Sequence, residues 1–422
     1  MSDPMSKPAL VPRLRFPEFR EAGAWEEKTL NELGELISGL TYSPEDVRDD
    51  GLLVLRSSNV QNDNIALDDN VYVRVGIKGA NLSQPNDILI CVRNGSKSLI
   101  GKNALIPEGM PPCTHGAFMT VFRSNSAKFI IQLFKTEKYE KQVSADLGAT
   151  INSINGNQLK KYKFFVPSSI EQQKIADCLS SLDELITAEA QKLDTLKTHK
   201  KGLMQQLFSA ESETVPRLRF SEFRETGEWK TKPISQLATR CKLKNTDSKL
   251  TRVLTNSAEY GVVDQRDHFE KDIANQENLE GYYIVEKGDY VYNPRVSTNA
   301  PVGPISKNNL GIGVMSPLYT VFRFNSSNND FYAHFFKSTH WHHYMRKTSS
   351  TGARHDRMSI TNDEFMCLPL PTTKPGEQQK IADCISSLDE LIAAQTKKIA
   401  TLKIHKKGLM QQLFPQFDEA NK

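Results

Sequence analysis

The clearest pattern of apolar and polar positions in this chain occurs twice, in residues 171–208 and 377–414. In each segment the apolar residues alternate at steps of four and three for more than four heptads, with no internal proline. Such a seam predicts a coiled-coil helix about 57 Å long. The predicted seam residues are Ile175, Leu179, Leu182, Ile186, Leu193, Leu196, Leu203 and Leu207 in the first segment, and Ile381, Ile385, Leu388, Ile392, Ile399, Leu402, Leu409 and Leu413 in the second.

The two helical segments are copies of one another, because 30 of their 38 positions are identical. A second repeat lies upstream of each, at residues 11–33 and 215–237, where 14 of 23 positions are identical. The regions between these repeats, 38–165 and 241–369, diverge almost completely. An internal repeat of this kind indicates one constant frame that carries two different globular regions.

The simplest partner for each helix is the other copy within the same chain. An antiparallel pair would place the two globular regions at opposite ends, related by a pseudo-two-fold axis. Glu189 and Gln395 would then lie near the middle of the seam, where buried polar residues can fix the register. The alternative is that each helix pairs with a different protein or with another copy of this chain.

Within the globular regions, short apolar runs predict strands and longer stretches of helical character predict helices. The predicted strands are 87–92, 118–122, 289–292 and 318–322, and the predicted helices are 129–142 and 331–347. The predicted fold class is therefore α+β, with two mixed α/β domains separated by an antiparallel coiled coil. The predicted boundaries are 1–165 for the first lead and domain, 166–210 for the first long helix, 211–371 for the second lead and domain, and 372–422 for the second long helix.

Composition narrows the class of protein without naming a function. The chain has 54 Lys and Arg against 50 Asp and Glu, so its net charge of +4 is too mild for a generally basic protein. Any surface for nucleic acid must therefore be local. The absence of a long apolar run or an apolar leader argues against membrane and secreted classes. The six cysteines show no zinc or CxxC spacing, which predicts reduced packing residues.

Acidic residues are missing from one stretch of each globular region. Residues 290–329 contain none, and residues 88–136 contain only Glu108. Both stretches begin after an aspartate, Asp87 or Asp289, and both contain the tetrapeptide TVFR. A local excess of cations is the electrostatic pattern expected of a surface that binds phosphate.

Loops inside and after these stretches carry side chains suited to reading bases. Arginine pairs with guanine edges and asparagine with adenine edges in the major groove. The candidate DNA-binding residues are Arg93, Asn94, Ser96, Lys97, Lys102, Asn152, Asn155, Asn293, Arg295, Ser297, Asn299, Lys307, Arg354, His355 and Arg357.

Motifs for catalysis or cofactor binding are not found. The nearest match to a methyltransferase Asn-Pro-Pro-aromatic turn is Tyr292-Asn293-Pro294-Arg295, which lacks the second proline and the aromatic residue. There is no GxxxxGK[ST] phosphate loop and no GxSxG nucleophile motif. The histidines of residues 340–343 lack companion ligands at metal-binding spacing. We therefore expect no catalytic residue, metal or cofactor on this chain.

Taken together, the repeats resemble the specificity subunit of type I restriction–modification systems. The resemblance covers nearly the whole chain and rests on EQQKIA at 171–176 and 377–382, on HKKGLMQQLF at 199–208 and 405–414, and on the strand–proline entries at 164–167 and 368–371. It implies two target-recognition domains, each reading one half of a bipartite asymmetric site in double-stranded DNA. It also implies that the paired helices set the distance between the halves and bind two modification subunits.

By the same resemblance, cofactors belong to partner subunits. The modification subunits bind S-adenosylmethionine and methylate adenine, and restriction subunits use ATP and magnesium to translocate and cut DNA. The implied location is the bacterial cytoplasm, with no membrane partner. The alternatives are the specificity chain of a methylation-only or related phage-defence complex, a self-contained DNA methyltransferase, and a coiled-coil scaffold that binds only proteins.

Overall fold

The chain divides into two compact units. The computed structural model describes residues 10–147, 152–209, 213–268, 279–351 and 356–415. Unit 1 comprises residues 1–190 and 397–422, and unit 2 comprises residues 191–396. Each unit therefore contains one globular region together with part of both long helices.

Unit 1 is built from short strands and short helices. Its elements are β1 Glu26–Thr29, α1 Leu30–Leu33, β2 Glu35–Ser38, β3 Val47–Arg48, β4 Leu52–Leu55, β5 Val60–Gln61, β6 Asn64–Ile65, β7 Val71–Val73, β8 Ile88–Cys91, β9 Asn103–Leu105, β10 Cys113–His115, β11 Met119–Arg123, α2 Ala127–Leu133, α3 Glu137–Asp146, α4 Gly156–Leu159, β12 Lys163–Val166 and the beginning of α5 Ser169–Leu207.

Unit 2 repeats this order with changes in its inner part. Its elements are β13 Lys230–Pro233, α6 Ile234–Leu237, β14 Ala238–Arg240, β15 Leu254–Ser257, β16 Gly261–Asp264, α7 Gln265–His268, β17 Tyr283–Val285, β18 Tyr290–Tyr292, β19 Ile305–Lys307, β20 Gly313–Met315, β21 Thr320–Phe324, α8 Asp330–Phe335, α9 His342–Thr348, β22 Ser350–Thr351, β23 Met358–Ser359, α10 Asn362–Met366, β24 Pro369–Thr372 and the beginning of α11 Pro375–Leu413.

The same antiparallel four-stranded sheet lies in each unit. Its strand order is β2-β11-β8-β9 in unit 1 and β14-β21-β18-β19 in unit 2. Unit 1 adds a second four-stranded sheet, β10-β4-β7-β3, in which β10 and β4 run parallel. In each unit, the first strand of the globular region pairs with the strand that leads into a long helix: β1 pairs with β12, and β13 pairs with β24. This mixture of helices and mainly antiparallel sheets fits the α+β class.

The predicted strands and helices agree with the structure in position but not always in length. The four predicted strands correspond to β8, β11, β18 and β21. Each predicted helix is instead two helices, α2 and α3 in unit 1 and α8 and α9 in unit 2. In unit 1 the break lies at Thr136, whose hydroxyl donates to the carbonyl of Leu133 and whose extended backbone begins a new helix. Side chains that bond locally to the backbone end helices in this way.

Serine and proline residues lie at the starts of the two long helices. Ser168 accepts a hydrogen bond from the backbone N–H of Glu171 at 3.4 Å, and Pro375 occupies the first position of α11. All sixteen predicted apolar seam residues are buried or half-buried. The apolar pattern therefore identified the side of each helix that is removed from solvent.

Ion pairs join the helix segments within each unit. In unit 1, Asp183 of α5 binds Lys406 of α11, and Glu189, further along α5, binds Lys398, which is earlier in α11. The two segments therefore run antiparallel within this unit. In unit 2, Lys200 binds Asp389.

The carboxylates of two of these ion pairs, Asp183 and Asp389, also attach each globular region to its helices. In unit 1, Asp183 also lies 3.7 Å from Lys135 and accepts a hydrogen bond from Gln132. In unit 2, Asp389 lies 3.8 Å from Lys337 and 4.0 Å from His334. One carboxylate in each unit thus contacts the opposite helix and the globular region together.

Each lead repeat is fixed to a helix start by a buried arginine. Arg15 donates two hydrogen bonds, of 2.7 and 2.6 Å, to the carboxylate of Glu171. Arg219 donates two, of 2.6 and 2.8 Å, to Glu377. Bidentate pairing of this kind fixes orientation as well as distance. The sequence repeat at 11–33 and 215–237 therefore has a structural role.

Candidate nucleic-acid interface

In unit 1, the loop that follows β8 lies beside a segment about sixty residues later. The N–H of Ile154 donates to the carbonyl of Val92 at 2.8 Å, and Arg93 forms an isolated antiparallel bridge with Ser153. The side-chain amide of Asn152 donates to the carbonyl of Gly95 at 3.2 Å. The structure therefore brings together two loops that were predicted independently as DNA-binding segments.

In unit 2, the loop after β18 makes the equivalent contact. Arg295 forms an isolated antiparallel bridge with Arg357. The N–H of Val296 donates to the carbonyl of Asp356, and that of Met358 to Pro294, each at 2.9 Å. Arg354 and His355, also predicted to bind DNA, lie outside the described residues.

The equivalence of the two loop pairs follows from the sheet. Cys91 pairs with Met119 and Ile90 with Thr120 in unit 1, while Tyr292 pairs with Thr320 in unit 2. Each loop therefore leaves the equivalent inner strand, β8 in unit 1 and β18 in unit 2, at the same end of its four-stranded sheet. We call each one, with the later segment bonded to it, a paired loop: residues 93–98 with 152–155 in unit 1, and 293–299 with 356–358 in unit 2.

Most predicted residues of the paired loops are exposed, and several cations are among them. The exposed predicted residues of these loops are Arg93, Ser96, Lys97, Asn152, Asn155, Arg295, Ser297, Asn299 and Arg357; Lys102, which follows the unit 1 loop, is exposed as well. Exposed arginine and lysine side chains beside amide and hydroxyl groups can contact both phosphates and base edges.

Two predicted residues instead hold the loops in shape, and a third is paired with a carboxylate elsewhere in unit 2. Asn293 is only 9% exposed: its amide donates to the carbonyl of Asn256 and its oxygen accepts from the N–H of Arg295. Asn94 is half-buried and donates to the hydroxyl of Ser57. Lys307 binds Asp330 at 2.6 Å. A buried asparagine with satisfied bonds supports the backbone from which Arg295 extends.

Two arginines of the acid-poor stretches are neutralised. Arg123 pairs with Asp87 through two bonds of 2.8 Å, and these bonds raise the pKa of the guanidinium. Arg323 pairs in the same way with Asp289, which raises the pKa of that arginine too. Counting charges along the sequence therefore overstated the cation density of both stretches, because the aspartate just upstream folds back onto the TVFR arginine.

Phe118 and Leu318 were not among the predicted contact residues, although they neighbour the paired loops. Phe118 is 57% exposed, and the guanidinium of Arg93 lies 5.7 Å from the centre of its ring. Leu318 lies two residues before Thr320, just as Phe118 lies two residues before Thr120, and it is 58% exposed. Both were assigned to apolar strand ends, and one sequence gives no sign of their exposure.

The described part of the chain offers little for metal, thiol or membrane chemistry. No group of three or more His, Cys, Asp or Glu residues there could hold a metal ion. Burial raises the pKa of the Cys91 and Cys241 thiols to about 11, so both are protonated at neutral pH. No helix within the described ranges is sufficiently long and apolar to cross a bilayer.

Comparison with known families gives a match over both halves of the chain. The model of the type I restriction modification DNA specificity domain matches residues 23–198 and 226–403. Over 414 residues, 92% of each chain, the protein is 25% identical to the putative type I restriction enzyme MjaX specificity subunit of Methanocaldococcus jannaschii.

Two further relatives match over shorter stretches. The protein is 29% identical over 196 residues to the StySPI specificity subunit of Salmonella potsdam, covering 44% of this chain and 42% of the relative. It is 32% identical over 168 residues to the EcoKI specificity subunit of Escherichia coli K12, covering 37% and 36%. The matched part is thus about two fifths of the length of these two relatives.

Solved structures share the fold. A type I restriction–modification S subunit from M. genitalium superposes with a TM-score of 0.58 at 15% identity, covering 97% of this chain and 100% of that one. A chain from a structure of complex assembly and conformational transition in a type I system gives 0.51 at 14% identity, covering 93% and 97%.

Proposed function

Because this chain belongs to the family of type I restriction modification DNA specificity domains, we propose that it is the DNA-binding specificity subunit of such a complex. Each globular region reads one half of a bipartite, asymmetric site through its paired loop. The observation that carries this proposal is the duplication of the paired loop on the same sheet edge, with different exposed side chains in the two units. Loops that lie at equivalent places but expose different side chains are suited to binding two different DNA sequences.

The long helices act as the spacer in this proposal. Each contains 39 residues, which corresponds to about 58 Å of helix. Their buried apolar seams and the antiparallel ion pairs within unit 1 support an antiparallel coiled coil with pseudo-two-fold symmetry. A rod of that length is compatible with two readers about 34–36 Å apart, one turn of DNA.

The remaining parts of the reaction belong to partners. Two modification subunits bind the repeated helices, carry S-adenosylmethionine and methylate the DNA, and restriction subunits supply ATP- and magnesium-dependent cleavage. The chain itself recognises DNA in the bacterial cytoplasm without catalysing a reaction. The specificity chain of a methylation-only or related phage-defence complex would use the same paired loops.

The first experiment changes the spacer alone. Duplicating the equivalent heptads 189–195 in α5 and 395–401 in α11 keeps the seam in phase in both helices. We expect methylome sequencing of cells carrying the complete operon to show the same half-site bases, separated by a spacer longer by up to about three base pairs. A change in the half-site bases themselves would contradict the proposal.

The second experiment changes one reader alone. Arg295→Ala should relax the base preference of one half-site by about 1–3 kcal/mol, and Arg93→Ala that of the other. Arg224→Ala, which removes an exposed arginine from the lead repeat of unit 2, is the matched control and should leave the methylated motif unchanged. Equal weakening of both half-sites by Arg295→Ala would refute the assignment of one unit to each half.

Methylation and binding assays on the isolated chain separate the remaining alternatives. A self-contained methyltransferase would transfer methyl groups to DNA without any partner. A scaffold that binds only proteins would show no DNA binding, whereas a specificity subunit should bind with an affinity that falls steeply as salt rises.

A further inference from the structure

An exposed apolar side chain lies next to the paired loop in both units. Phe118 and Leu318 each stand two residues before the threonine of TVFR, and more than half of each side chain is exposed. Single exposed apolar residues are common on protein surfaces and need no explanation. Here the exposure recurs at equivalent positions in two regions whose sequences otherwise differ, which calls for a shared cause.

The backbone fixes Phe118 directly against the loop that carries Arg93. The N–H groups of Val92 and Arg93 both donate to the carbonyl of Phe118, at 3.0 and 3.1 Å. The Arg93 guanidinium lies over the phenyl ring. Arginine that stacks on an aromatic ring keeps its donors available in the plane of the guanidinium. Phe118 therefore supports a cation and presents its remaining apolar surface at the same place.

The register of the sheet puts Leu318 in the corresponding place of unit 2. Tyr292 pairs with Thr320, and Leu318 and Pro294 each lie two residues beyond this pair, Leu318 in the turn before β21 and Pro294 just before Arg295. The carbonyl of Pro294 accepts the N–H of Met358, and this bond holds the two halves of the paired loop together. Leu318, like Phe118, is therefore an exposed apolar residue at the end of the sheet from which a paired loop leaves.

We infer that Phe118 and Leu318 contact the C5-methyl groups of thymines in the major groove, one in each half-site. This inference rests on the proposed function, because it uses the same paired loops. A thymine methyl is the one apolar group that a base pair presents in the major groove, and apolar side chains recognise it there. A neighbouring arginine pairs with guanine or phosphate, so the two side chains together distinguish more sequences than a cation alone.

The test removes the methyl group from DNA and the apolar side chain from the protein. Duplexes carrying the methylated motif of the host are prepared with each thymine replaced in turn by deoxyuridine, and their binding to the full chain is measured. One replacement in each half-site should weaken binding about fourfold, the amount expected for one methyl-sized apolar group. Phe118→Ala should abolish the effect in one half-site only, and Leu318→Ala in the other.

The remaining outcomes are also decisive. Phe118→Leu keeps an apolar surface and should retain the sensitivity to deoxyuridine. If no replacement weakens binding, or if Phe118→Ala leaves every sensitivity intact, the inference fails while the proposed function stands. A further duplex carries 2-aminopurine beside the sensitive thymine. Increased fluorescence of this base on binding would show that Phe118 is inserted between bases, and this result would also overturn the inference. Absence of any preference for the motif over unrelated DNA would instead refute the proposed function.

Discussion

The buried pairs that fix the two lead repeats give a quantitative prediction, because the two copies differ in one respect. Glu171 is 1% exposed, and Arg15 is the charged partner that neutralises it. Glu377 is fully buried, but it accepts hydrogen bonds from Trp229 and Thr373 in addition to Arg219. The counterpart of Trp229 in unit 1, Trp25, has no hydrogen-bond partner for its indole nitrogen among the described residues.

Replacing each arginine by methionine should therefore affect the two units unequally. Arg15→Met leaves Glu171 as a buried, uncompensated carboxylate, which costs about 3–5 kcal/mol of unfolding free energy. Arg219→Met leaves Glu377 with two neutral donors, each offsetting about 1 kcal/mol or more. We expect Arg15→Met to destabilise unit 1 by roughly 2 kcal/mol more than Arg219→Met destabilises unit 2.

Hydrogen exchange followed by mass spectrometry at increasing denaturant measures each unit by itself. Peptides from the β1–β12 pair report on unit 1, and peptides from β13–β24 report on unit 2. The double variant Arg15→Met with Glu171→Gln removes both charges and should recover part of the lost stability. Equal losses in the two units, or a loss below about 1 kcal/mol for Arg15→Met, would show that the buried charge does not determine the effect.

Three further predictions concern charges elsewhere in the chain. Asp183→Asn should cost more unfolding free energy in thermal melts than Lys406→Met, because burial already lowers the pKa of Lys406 and its ammonium group depends on the Asp183 carboxylate. Burial lowers the pKa of His334 to about 4, so unit 2 should lose stability as pH falls from 6.5 towards 4, where only the unfolded chain takes up the proton. His334→Gln, which introduces the residue found at the equivalent Gln132, should remove that loss in hydrogen exchange at pH 7.5 and 5. Arg357→Ala should reduce the salt slope of DNA binding by about one if that side chain contacts phosphate.

Sequence pattern predicted the long helices and inner strands of this protein better than the structure of the paired loops. A seven-residue apolar period is a local property that requires a buried stripe on a helix, so the burial of residues such as Leu179 and Ile385 followed from it. The two inner strands of each shared four-stranded sheet were also predicted, because their apolar residues are continuous, whereas the outer strands and the second sheet of unit 1 were missed. The split of each predicted helix into two was missed, since Thr136 bonds its own backbone without interrupting the apolar pattern.

The paired loops depend on long-range contacts that residue types do not reveal. Asparagine suits both a base edge and a buried backbone contact, and only the packing against Asn256 distinguishes these roles for Asn293. The bridge between Arg93 and Ser153 likewise joins segments that no local pattern connects. Both paired loops begin within the duplicated acid-poor stretches, and the binding of DNA at these loops stays a prediction.

The distribution of buried charge explains how one frame can carry two different globular regions. A frame residue such as Glu171 cannot change alone, because its buried carboxylate requires the guanidinium of Arg15. The exposed arginines of the paired loops contribute little to folding, since their charges remain solvated in the folded chain. Replacing them therefore leaves no buried charge unpaired. The two copies can therefore keep the same helices and lead contacts while their loops diverge, which is the arrangement that the repeats in this sequence display.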